Sequence, residues 1–66
     1  MAKVWEPEPI EVYQAWIETI SDEASDNLTN WENQFIVSLM ERLHSGRNLT
    51  QAQAETLERI YSEMTK

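Results

Sequence analysis

Cysteine is absent from this 66-residue chain, which excludes disulfide staples and thiolate metal sites. A single histidine, His44, supplies too few ligands for a structural zinc site. Glycine occurs once, at Gly46, and proline twice, at Pro7 and Pro9. Helix breakers are therefore confined to the first nine residues and one internal junction. No apolar run approaches the roughly 20 residues needed to span a bilayer. The start, Met1 to Pro9, lacks the apolar core of a secretory signal. These gaps predict a protein of the cytoplasm, with no membrane contact.

Positive charge is also scarce, and unevenly so. Residues 1–41 hold nine acids (Glu6, Glu8, Glu11, Glu18, Asp22, Glu23, Asp26, Glu32 and Glu41) against Lys3 alone, a balance of −8. Residues 42–66 hold Glu55, Glu58 and Glu63 against Arg42, Arg47, Arg59 and Lys66, a balance of +1. The two parts give the net charge of −7. Such a front half repels nucleic acid and membrane surfaces and favours basic protein partners.

What remains is enough apolar sequence, 41% of residues, for one small core. A chain this short buries only about 60% of its unfolded surface, so stability rests on efficient packing. The spacing predicts an all-α fold, a compact three-helix bundle with an extended N-terminal arm, in one domain over 1–66. The arm covers 1–8, because a residue before proline is pushed out of the helical region. Helix one covers 9–24, with Pro9 in the first turn and Ile10, Tyr13, Ile17, Ile20 and Ala24 in one stripe. Val12 and Trp16 widen that stripe. Acids in the last turn oppose the helix dipole, so this helix is expected to stop between Ile20 and Ala24, before a polar turn at 22–27.

Helix two is expected over 29–45. Thr29 followed by Glu32 has the capping-box arrangement. Its stripe is Leu28, Trp31, Phe35, Ile36, Leu39, Met40 and Leu43, and Gly46 suits the left-handed position that ends it. Helix three is expected over 50–65, with Thr50 and Gln53 repeating the cap and Ala54, Leu57, Ile60, Tyr61 and Met64 facing inward. Glu55 and Arg59 are placed as an i,i+4 pair. Helices two and three, joined over 44–48, are expected to form an antiparallel hairpin.

Several constellations invite a chemical reading. Glu11, Glu18 and Asp22 line a side of helix one away from the apolar stripe. They form either a solvated face that keeps the domain soluble or a row of carboxylates that mimics DNA phosphates. Trp31 lies on the strongest stripe and is expected in the core. Trp16, at a stripe edge, packs under the arm or under a partner, and Trp5 is a lid over the core or an exposed anchor. Arg42, His44 and Arg47 sit where positive charge complements a helix end, and alone they make a weak nucleic-acid site. Asp22, Glu23 and Asp26 lack the glycine and terminal glutamate of a calcium loop. Asn27-Leu28-Thr29 and Asn48-Leu49-Thr50 match the glycosylation sequon but read better as two helix starts. No cysteine nucleophile and no Gly-x-Ser-x-Gly motif is present, and a chain of this size does not readily enclose a concave pocket. The expected protein is no enzyme and uses no cofactor or metal.

Trp31-Glu32, Phe35, Leu43, Gly46, Leu49-Thr50, Gln53, Leu57, Ile60 and Tyr61 together resemble a helical-hairpin segment found in small bacteriophage and prophage proteins. The likeness covers about half the chain and consists of core and cap positions. It implies a phage or mobile-element setting beside replication or recombination machinery, hence the cytoplasm of a bacterial host, and it transfers no catalytic residue.

The expected activity is that of an accessory or inhibitor protein binding a partner with a basic surface, such as a nucleic-acid-handling enzyme. Glu11, Glu18 and Asp22 would make that contact with Trp16 and Trp5. The alternatives are a homodimer paired through Val12 and Trp16, and a DNA-associated protein using Arg42, His44, Arg47 and Arg59.

Overall fold

Two threonines set the beginnings of the second and third helices. In the computed structural model, which describes residues 4–64 and all of their side chains except those of residues 24 and 25, the chain forms α1 (Ile10–Ala24), a 3₁₀ turn (Ser25–Asn27), α2 (Asn30–His44) and α3 (Gln51–Met64). At α2, the Thr29 hydroxyl accepts from the Glu32 amide at 3.1 Å, and the Glu32 carboxylate accepts from the Thr29 amide at 2.9 Å. At α3 the same exchange joins Thr50 and Gln53, at 3.3 and 3.0 Å. Each box satisfies amides that the first helical turn leaves without partners.

The end of α2 is equally local in origin. Gly46 has φ of +86°. The Arg47 amide donates to the Arg42 carbonyl at 3.2 Å and the Gly46 amide to that of Leu43 at 3.0 Å. This is a Schellman motif, the closure a left-handed glycine permits. A Cβ at Gly46 would meet nothing within 4 Å, so any penalty there is purely one of backbone conformation. Gly46→Ala is expected to lower stability by about 1–2 kcal/mol, measured by denaturant midpoint, with the far-ultraviolet spectrum unchanged.

Boundaries differ from the sequence reading by a residue or so. Pro9 stands just outside α1, its carbonyl accepting from the Val12 amide at 3.0 Å. Asp22 and Glu23 stay helical despite the unfavourable dipole, because fully buried Ile20 anchors the preceding turn. Residue 65 lies outside the described residues, as does the side chain of Ala24.

The core comprises Tyr13, Ile17 and Ile20 from α1, Ile36, Leu39 and Leu43 from α2, Leu49, and Ala54, Leu57 and Ile60 from α3. α1 packs closely against both other helices, whereas the backbones of α2 and α3 approach each other less. Their connection carries Leu49 into the core. The sequence-based hairpin is thus better described as two helices resting on α1. Among the described residues there is no strand, and no helix is long and apolar enough to cross a membrane.

Trp31 is the clear departure. It is 59% exposed and lies outside the core, with its ring stacked on Phe35 at 5.1 Å and 7°. The reason is helical drift. Residues four apart advance by about 40° around the helix, so the row Trp31, Phe35, Leu39, Leu43 winds from solvent into the core. Glu55 also departs from expectation. It accepts from Gln51 Nε2 at 3.2 Å and makes no ion pair with Arg59.

Candidate protein-binding face

Three acids share the outward side of α1. The spacings from Glu11 to Glu18 to Asp22, seven and four residues, return to one face of a helix, and all three side chains are exposed. The inward side is occupied by Tyr13, Ile17 and Ile20. Among the described residues, none of the three carboxylates has an ion-pair partner. Glu6, Glu8, Glu23, Asp26 and Glu41 are also exposed. At about 1.5 Å per residue, the row from Glu11 to Asp22 extends roughly 16 Å.

The basic residues are placed elsewhere. Arg42 is half-buried at the α2–α3 connection, where its Nε donates to the Asn48 carbonyl at 2.7 Å. Arg47 is exposed beside Gly46, and Arg59 is exposed on α3. Lys3 and Lys66 lie outside the described residues.

The aromatic residues assigned to the same surface are not in the acidic row. Trp16 is half-buried on the flank of α1 facing α3. Its ring stacks on Tyr61 at 5.2 Å and 15° and meets Tyr13 edge-on at 5.4 Å. Val12, on that flank, is half-buried too. Trp5 is half-buried and packs against the core, as a lid would. The arm is held by two bonds at Glu8. Its amide donates to the Tyr13 hydroxyl at 2.9 Å, and its carbonyl accepts from Asn48 Nδ2 at 2.8 Å. Asn48 also accepts from the Leu49 amide at 2.7 Å. One asparagine therefore ties the arm to the α2–α3 connection.

Sequence reasoning missed a second feature. Between α1 and α2 runs an open groove of about 310 Å³, lined by Ile17, Ser21, Ile36, Val37, Met40, Glu41 and His44. Val37 stands 56% exposed on its bank. The available signal was an apolar residue at a position whose helical neighbours Asn33 and Glu41 are polar. Among the described residues, no three His, Asp or Glu side chains converge as metal ligands.

Comparison of the chain with protein-family models, curated proteins and solved structures finds no match.

Proposed function

We propose that this protein is a non-enzymatic binding module, a phage-type accessory or inhibitor, that docks on a basic-surfaced protein through the outer face of α1. The observation that carries the reading is the row Glu11, Glu18 and Asp22, exposed on one face and, among the described residues, without an ion-pair partner. Carboxylates with no intramolecular cation keep their full field for a partner. A nucleic-acid-handling enzyme is the natural target class, because its working surface is basic. The row is sparser than duplex DNA, which carries a charge about every 1.7 Å of axis. It therefore suits attraction and orientation better than phosphate-by-phosphate imitation. Trp16 and Trp5 contribute only through the minor part of their surface that internal packing leaves open.

The test is capture from a bacterial lysate with the wild type and with Glu11→Gln, Glu18→Gln and Asp22→Gln combined. Loss of the captured proteins in the variant is the expected result. An unchanged set would move the contact off α1.

Self-association is the second reading, and Trp31 is what favours it. An exposed tryptophan plate stacked on Phe35 has the character of an interface anchor, whereas Val12 and Trp16 are largely used within the chain. Sedimentation at micromolar concentration separates the readings, since a stable dimer requires the homotypic one. Direct DNA contact draws least support, because Arg42 is engaged at the Asn48 carbonyl.

A further inference from the structure

The groove and the acidic row are adjacent parts of one surface. Ile17 and Ser21 form its α1 bank. Each residue step turns a helix by about 100°, so Glu18 and Asp22 lie one step outward from them, on the side away from the core. Glu41 stands on the opposite bank, on α2. The floor and inner walls are Ile17, Ile36, Val37 and Met40. An apolar trough of this kind, with carboxylates on both banks, matches one shape of ligand: an amphipathic helix with an apolar ridge and cationic flanks.

We infer that the α1–α2 groove seats the apolar ridge of a basic amphipathic helix belonging to the partner. This rests on the reading of the acidic face given above and adds where affinity comes from. Charge complementarity identifies the occupant. Lysine or arginine beside the ridge would reach Glu18 and Asp22 on one side and Glu41 on the other. A second copy of this chain fits poorly, because its own helices present acids along α1 and few bases. The volume, at the lower end for binding cavities, suits one or two anchoring side chains, such as an i, i+4 pair on the ridge. Met40, unbranched and polarizable, lets the floor adapt to their shape. Ile36 and Ile17, both buried, give a firm base.

The experiment uses the whole chain and two synthetic peptides of identical composition, rich in leucine, lysine and arginine. In the first, the leucines fall on one helical face; in the second they are scattered. Calorimetry measures affinity, and amide chemical shifts locate the contact. The expected result is about ten-fold tighter binding of the first peptide, with shifts at Ile17, Ile36, Val37 and Met40. Val37→Gln and Ser21→Trp, both at exposed positions, are each expected to abolish that preference while leaving the scattered peptide's affinity unchanged. Should Ser21→Trp fail to fold, Val37→Gln alone decides. Equal binding of both peptides, with shifts confined to Glu11, Glu18 and Asp22, overturns the groove and leaves the acidic face standing. Binding of neither overturns both. A concentration-dependent dimer that covers Val37 also overturns the inference, by giving the groove to a second copy.

Discussion

Leu57→Ala is expected to lower the unfolding free energy by about 2–5 kcal/mol, measured by urea denaturation. Leu57 is fully buried on α3, and a truncated side chain there loses contacts and leaves a cavity that rigid neighbours fill only in part. At about 0.05–0.15 kcal/mol per residue, a chain of this length holds roughly 3–10 kcal/mol in total. One substitution thus takes from about a fifth of the stability to all of it, and where the loss exceeds the total the variant is unfolded at room temperature. The shape of the molecule compounds the effect. Its extents are 41 × 27 × 19 Å, so the core is thin and each of the five fully buried side chains, Ile17, Ile20, Leu39, Leu57 and Ile60, is a large part of it. A loss below 1 kcal/mol would mean that α3 is not held by this contact and that the packing around Leu57 is wrong.

Much of this fold is legible in the sequence, because its start and stop signals act over a few residues. Thr29 with Glu32, Thr50 with Gln53, and Gly46 each decide a helix end by bonds within one turn. The acidic row is legible for a related reason, since Glu11, Glu18 and Asp22 share a face of any straight helix. Trp31 is not. Its place depends on where along a winding i,i+4 row the neighbouring helices stop covering α2, and no local pattern records that. The groove is invisible for the same cause. Ser21 and Val37 lie far apart in the chain, and only the approach of α2 to α1 makes them opposite banks. Trp16 shows the intermediate case. Its position at the stripe edge follows from spacing, but its partner Tyr61 is set by how α3 lies on α1. Local chemistry thus delimits the helices, and the angle at which they rest on α1 decides which apolar residues stay outside.

Association with the basic partner is expected to slow by one to two orders of magnitude between about 0.05 and 0.5 M salt, where the Debye length falls from about 14 to 4 Å. The physical basis is the separation of sign along the chain. Within 1–41 only Lys3 opposes nine acids, and among the described residues the acids on α1 have no ion pairs to cancel their field. At low salt that field extends outward by about 14 Å, close to the roughly 16 Å length of the row, and orients the approaching surface before contact. At high salt it ends near the side chains, and encounter becomes unguided. Dissociation should change far less, because apolar contacts made after docking do not sense screening. Stopped-flow or biosensor measurement separates the two rates. Combining Glu11→Gln, Glu18→Gln and Asp22→Gln at low salt should reproduce the high-salt association rate, and adding salt to that variant should slow it only slightly further. All three positions are exposed, two of the changes are isosteric and the third adds one methylene into solvent, so the thermal midpoint should stay within a few degrees and unfolding cannot account for the loss. An association rate indifferent to salt, or a triple variant as fast as the wild type, would show that α1 plays no part in steering.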